Sequence, residues 1–283
     1  GARPVFCDSR PDTLNLNDAQ LDSLITPRTK AIVVVHYAGV GCEMDAILAL
    51  ANSKGIPVVE DNAHGLLGTY RGRLLGSFGA LAAQSFHETK NFSCGEGGAL
   101  IINDDGYSDR AEIIREKGTN RSQFFRGEID KYTWVDVGSS YLPSEVLAAF
   151  LVSQLEAAEE IQQRRRHLWI RYAEGLADWA RAAGAMMPCV PHHCEQPSHM
   201  FYLRMPTLEA RTALMSMLRA RNIHAAFHYV PLHTSTMGQR FGGRPGQCPV
   251  PESASECLVR MPFYTGMTHG GQGRVIEAVR SFC

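Results

Sequence analysis

The hydrophobic pattern of the chain changes character near its middle. In the first half, short apolar runs alternate with helix-spaced segments. Residues 31–37 (AIVVVHY) are a β-branched, apolar run, the pattern of a strand covered on both faces. Residues 43–54 then place Met44, Ile47, Leu48 and Ala51 at helical spacing, with Gly55 as the stop. Residues 56–60, 81–86 and 99–103 read as further strands, and residues 110–117 as a helix ending at Gly118. Residues 4–6 (PVF) read as an opening strand. This rhythm predicts an α/β layer structure with much parallel sheet.

The second half opens with a long helical pattern from residue 144 to about 183, broken once, with Ser144 and Glu145 near its start. Leu147, Phe150, Leu151 and Leu155 form its apolar stripe. A Pro/His/Cys-rich loop follows, then a strand at 200–204, a helix at 208–221, a strand at 225–230 and a last helix at 272–282. The expectation is a larger unit over 1–150 and a smaller α+β unit, with its connecting helix, over 151–283.

Composition narrows the function classes. A formal net charge of -1 over 283 residues offers no electrostatic footprint for nucleic acid. The densest basic run, residues 164–166 (RRR), falls inside the helical pattern and reads as a solvated helix face. No apolar stretch reaches the roughly 20 residues that span a bilayer. The opening GARPV lacks the apolar core of a secretory signal, so a cytoplasmic location is expected. The 8 cysteines make no CxxC pair and read as free thiols. Cys189, His192, His193, Cys194 and His199 cluster in the loop marked by Pro188, Pro191 and Pro197. Their spacing fits no standard zinc site, and no metal is expected.

Two stretches carry candidate chemistry. In Val58-Val59-Glu60-Asp61-Asn62-Ala63-His64, Asp61 stands just past a buried strand, where ligands bind in open α/β sheets. A carboxylate there calls for a cationic partner, and a pyridinium nitrogen is one; a turn-capping aspartate is the other reading. In Ser85-Phe86-His87-Glu88-Thr89-Lys90, a lysine lies between a hydroxyl-bearing strand end and the stretch Cys94-Gly95-Glu96-Gly97-Gly98. A nucleophilic lysine needs a depressed pKa, and each feature taken singly is equally compatible with an ordinary loop.

The order of these features, an Asp, then Ser-x-x-x-x-Lys, then Gly-Glu-Gly-Gly before another strand, resembles the DegT/DnrJ/EryC1/StrS sugar aminotransferases. Residues 35–39 (VHYAG), 43–45 (EMD), 113–121 (IIREKGTNR) and 228–233 (HYVPLH) also fit. The stretches 119–127 (TNRSQFFRG) and 130–134 (DKYTW) point to members that aminate a dTDP-linked 4-keto-6-deoxy sugar. The resemblance implies a fold-type-I enzyme dependent on pyridoxal 5'-phosphate, with a nucleotide sugar and L-glutamate as substrates. It also implies a homodimer with its active site at the subunit interface.

By the same resemblance, Lys90 bonds the cofactor aldehyde and carries the proton, and Asp61 pairs with the pyridine nitrogen. His64 faces the phenolic oxygen, and Ser85 binds the phosphate. Ser140, in Gly138-Ser139-Ser140-Tyr141, takes the place of an Asn that reaches the partner's phosphate. His36, Arg121, Tyr132, His228 and His233 are candidates for the sugar-nucleotide side, with structural histidine as the other reading of His228 and His233.

The family's first quarter, with a phosphate-binding turn and an aromatic residue that stacks on the ring, has no counterpart here. An exposed apolar face, an open sheet edge and weak cofactor binding by this polypeptide alone are therefore expected. Other readings are an aminotransferase for a different nucleotide sugar, an inactive or binding relative, and a dehydratase on the same scaffold. Lys90 opposes the last, which typically carries His there. A plain NAD-binding protein lacks support, because no G-x-G-x-x-G follows a strand.

Overall fold

The computed structural model describes residues 1–282; Cys283 lies outside the described residues. The first half builds a four-stranded sheet from β1 (Ile32–Val35), β2 (Val58–Asp61), β3 (Leu81–Ser85) and β4 (Gly98–Ile102), in that spatial order. β1, β2 and β3 run parallel, whereas β4 returns antiparallel to β3. The connection from β1 to β2 is helix α1 (Met44–Ser53), whose Met44, Ile47 and Ala51 are buried. The helix stops where Gly55 takes a left-handed φ of 65°, as its position after the last periodic residue suggested.

One face of this sheet is packed and the other is bare. Ile32, Val34, Val58, Glu60 and Ala82 are buried on the covered face. On the opposite face, register aligns Val33 with Val59, Leu81 and Ile102, and Val35 with Asp61, Ala83 and Leu100. There Val33 is 58% exposed, Val35 43% and Leu100 53%. The expectation that the β1 run is covered on both faces is therefore corrected. Its residues alternate strictly in burial, because α1 and its neighbours cover one side only. The expected exposed apolar face is this surface, and β1 and β4 are the sheet's edges.

Residues 108–156 form an arm beyond β4. It contains helices α2 (Ser108–Arg115), α3 (Arg121–Phe125) and α4 (Glu145–Glu156). Ser144 caps α4 by accepting the Leu147 amide hydrogen at 3.3 Å. The expected apolar stripe of α4 is only half buried. Leu147 and Leu151 pack against Phe86, Phe92 and Cys94, whereas Phe150 and Leu155 are exposed. Residues 4–6 form no strand, since no neighbouring strand offers them a ladder.

The second half closes around its own core. Helices α5 (Ala158–Ala182), α6 (Leu208–Ala220) and α8 (His269–Arg280) pack on an antiparallel sheet of β5 (Tyr202–Arg204), β7 (Leu258–Arg260) and β6 (Ala226–Phe227). Helix α7 (Pro249–Cys257) leads into β7. Its Pro at the first helical position suits a site whose N–H needs no partner. α5 carries one departure from the sequence pattern. Arg164 lies on the solvated face as expected, but Arg165 is buried at 4% exposure. Neighbours in a helix point about 100° apart, so one member of a charged run can face inward.

Candidate active site

The parallel strands β1, β2 and β3 all end at the same sheet edge, and each delivers a polar loop there. Beyond β1, Ala38 and Gly39 turn the chain with φ of 55° and 84°. A side chain at Gly39 would also crowd the His64 carbonyl, 2.7 Å from where its Cβ would stand, and the Pro197 ring. Glycine is thus required twice over at this turn.

β2 separates two adjacent carboxylates. Glu60 faces the interior, fully buried, and Asp61 faces the open side. Glu60 accepts hydrogen bonds from His36 Nε2 (2.8 Å) and from the amides of Gly76 (2.8 Å), Phe78 (2.7 Å) and Gly79 (2.6 Å). Burial alone would raise its pKa, but His36 and these amides outweigh it and hold the carboxyl below the usual range. His36 Nδ1 accepts from the Cys42 amide at 3.2 Å, which leaves the proton on Nε2. His36 is therefore an interior prop at 0% exposure, not a residue that lines a substrate. Asp61 accepts from the Ala63 amide at 3.0 Å, so it caps the next turn as well as facing the lysine.

β3 and β4 form a hairpin whose loop carries Lys90. The loop is closed by Phe86 N–H to Gly97 O (2.8 Å), Glu88 N–H to Gly95 O (2.8 Å) and Lys90 N–H to His87 O (2.9 Å). This is the structural use of the glycine stretch, where Gly95 takes φ 88°. Lys90 is half-buried. Its burial lowers the amine pKa, and the charge of Asp61 opposes that shift. A pocket at this point is lined by Ala63, His64, Ser85, Lys90, Asn91 and His199, among others.

Three of the sequence candidates, His64, Ser85 and Lys90, thus share one pocket, and Asp61 acts on it electrostatically. His64 Nδ1 accepts from the Ala38 amide at 3.3 Å, so Nε2–H is its remaining donor. Burial, reinforced by the charges of Lys90, His228 and Arg260, brings its pKa down to about 3. His228 joins through Tyr37, whose hydroxyl lies 3.4 Å from His228 Nδ1 and whose ring meets His64 edge-on at 6.2 Å. Burial and Arg260 bring His228 down to about 4.

The remaining candidates fall elsewhere. His233 is buried and paired with Glu252 at 2.7 Å, the structural-histidine outcome. Arg121 stands over Phe125 (5.0 Å) and Tyr132 (5.9 Å) in the exposed arm. Ser140 is exposed in the same arm, bridged to Glu116. The Cys/His loop residues disperse: His193 pairs with Glu43 at 3.2 Å, Cys194 is buried and Cys189 is exposed. Among the described residues, no three His, Cys, Asp or Glu side chains form a metal-holding group.

Sequence reading missed Asn91 and His199 as pocket residues and Tyr37 as the neighbour of His64 and His228. Tyr37 had a signal, because the residue after an inward-facing His36 leaves on the other side. His199 had none locally, since it enters from a segment more than 100 residues beyond Lys90.

The model of the DegT/DnrJ/EryC1/StrS aminotransferase family matches residues 1–280. The spore coat polysaccharide biosynthesis protein SpsC of Bacillus subtilis is 32% identical, over 99% of this chain and 73% of its own length. The solved structure of DesV from S. venezuelae is 33% identical with a TM-score of 0.87, covering 99% of this chain and 72% of that one. The aminotransferase TlmJ of Streptoalloteichus hindustanus superposes with a TM-score of 0.88 at 30% identity, over 99% of this chain and 73% of its own. With a lysine, an aspartate, a histidine and a serine assembled at one sheet edge, and with this match along nearly its whole length, the chain belongs to the DegT/DnrJ/EryC1/StrS aminotransferase family.

Proposed function

We propose that this chain moves an amino group from L-glutamate to a nucleotide-linked 4-keto-6-deoxy sugar. The specific reaction is conversion of dTDP-4-keto-6-deoxyglucose to dTDP-4-amino-4,6-dideoxygalactose, for a cell-surface polysaccharide of the enterobacterial common antigen type. The observation that carries the reading is Lys90, half-buried with a lowered amine pKa, in one pocket with His64 and Ser85 and under the influence of Asp61. The sugar assignment is supported by residues 119–127 and 130–134.

Pyridoxal 5'-phosphate is the cofactor of this aminotransferase family. The residues present suit it: an amine for its aldehyde, a carboxylate for its ring nitrogen, a neutral imidazole N–H for its phenolic oxygen and a serine hydroxyl for its phosphate. Bound there, it supplies an electron sink for the carbon that loses a proton. Lys90 Nζ moves that proton, first from the amino-donor carbon and later to the sugar C4, while its lowered pKa leaves a larger fraction of free amine. Asp61 would face the ring nitrogen, and His64 would donate through Nε2.

We also propose a homodimer in which the exposed arm, with Trp134, Phe125 and Tyr141, meets a second copy. Ser140 would then reach the partner's phosphate. Residues 1–150 would act as the cofactor-binding unit and 151–283 as its smaller companion. No described helix is long and apolar enough to cross a membrane.

Borohydride reduction of the chain with pyridoxal phosphate, followed by peptide mapping, tests the central assignment. Label on Lys90 is expected, and label confined to other lysines would sink it. Product NMR then separates a galacto-configured 4-amine from a 3-amino sugar or the gluco epimer.

A further inference from the structure

The loop that carries Lys90 is tied to the second half of the chain. Asn91, the residue after the lysine, donates from Nδ2 to the Pro197 carbonyl at 2.7 Å. That carbonyl can only accept, so the amide orientation is settled. Its Oδ1 then lies 3.0 Å from His199 Nδ1, and His199 must carry its proton there. Both side chains are buried. The His199 ring also stacks on His64, with centroids 4.2 Å apart and planes 18° from parallel. The two stacked imidazoles therefore hold their protons on opposite nitrogens, Nδ1 in His199 and Nε2 in His64.

The backbone under His199 is itself gripped. Arg165 donates from Nε to Ser198 O (3.0 Å), from Nη2 to His199 O (2.5 Å) and from Nη1 to Thr265 Oγ1 (3.3 Å). Its guanidinium lies 4.8 Å from the Phe263 ring centre. No ion pair joins Arg165 to a carboxylate among the described residues, and burial brings its pKa down to about 10. A buried cation held by carbonyls, a hydroxyl and a ring face is a costly device where only packing is needed. Here it fixes two consecutive carbonyls at the turn where Ser198 takes φ 52°.

We propose that His199 is a positioning residue for Lys90 and His64: its Nδ1–H tethers the lysine loop through Asn91, its ring seats the His64 imidazole, and Arg165 holds the backbone that presents it. What Lys90 does chemically rests on the aminotransferase reading, but the positioning itself is measurable without catalysis. The charged and titratable groups around the pair are Lys90, Asp61, His228, Arg260 and Arg165.

The test uses the full chain without added cofactor. Nitrogen-15 NMR should find His199 as the Nδ1–H tautomer and His64 as Nε2–H, both neutral between about pH 5.5 and pH 7.5, the range about one unit either side of an ordinary histidine. His199 as Nε2–H would overturn the proposal. Two variants divide the roles. His199→Phe keeps a ring and loses the donor, so the Lys90 pKa, read from the pH dependence of amine acylation, should rise toward the ordinary lysine range. His199→Asn keeps a donor for Asn91 and loses the ring, so His64 should rise from about 3 while Lys90 is largely restored. Asn91→Ala removes the same tether from the other side and should reproduce the Lys90 shift if the Phe variant does not fold. Unchanged titration of Lys90 and His64 in all folded variants would leave His199 as packing alone. Failure of the aminotransferase reading would look different: the titration shifts would appear, with no borohydride label on Lys90.

Discussion

The two halves of the molecule manage their apolar surface in opposite ways. Between Leu168 and Val279, helices α5, α6 and α8 enclose a shared core with β5 and β7. From residue 119 to 164, by contrast, no residue is buried, and the sheet before it leaves Val33, Val35 and Leu100 open. Lys90 belongs to the less covered half, yet the residues that hold its loop, Pro197 and His199, belong to the closed one. A closed core is a stable platform, and an incompletely covered sheet has surface left for cofactor and partner. The candidate site's lysine loop and the segment that anchors it thus come from different parts of this chain.

Lys90→Ala should give the largest effect. Transamination is expected to fall by about 10²–10⁴-fold, the range of a positioned proton-transfer group, with little change in melting temperature. Steady-state rates with glutamate and the keto sugar would check this. A variant that retained activity would remove Lys90 from the mechanism.

Leu214→Ala attacks the other end. Leu214 is fully buried in the closed core, and its truncation should cost about 2–5 kcal/mol of stability in urea titration. A loss under about 1 kcal/mol would mean that this core is less tightly closed than its burial indicates.

Glu60→Gln sharpens the picture inside the first half. Glu60 has a lowered folded-state pKa, so its contribution is present above the ordinary glutamate range and is lost as pH falls through the lowered value. The wild-type chain should therefore lose stability as it is acidified below about pH 4.5, whereas the variant should be weaker at neutrality by about 2 kcal/mol and flatter toward acid. Parallel pH–stability curves for the two proteins would refute this.

Val33→Thr should do least. On a face that is open in the isolated chain, stability should shift by less than about 0.5 kcal/mol in thermal melts. A much larger loss would show that something covers this face in solution, and would narrow the difference between the halves.

Local pattern determined the kinds of element and their order along the chain. Helix-spaced Met44, Ile47 and Ala51 gave α1, the β-branched run gave β1, and Ser144 marked the start of α4, because these depend on periodicity and backbone propensity over a few residues. The set Asp61, His64, Ser85, Lys90 was readable through the family resemblance, and the strand ends of the parallel sheet are what bring these residues near one another. Of the strand read over 225–230 only Ala226 and Phe227 pair, as β6, and helix α7 was beyond the pattern, since its apolar positions are too few to set a period.

The folded chain settles which way each of two neighbouring residues turns. Glu60 turned inward and Asp61 outward, His36 inward and Tyr37 toward His64, and Arg165 under a loop while Arg164 stayed in water. A one-dimensional pattern fixes that adjacent side chains diverge but not what each will meet. The tie from Asn91 to His199 spans 108 positions of chain, and such a contact exists only once both halves have folded and docked.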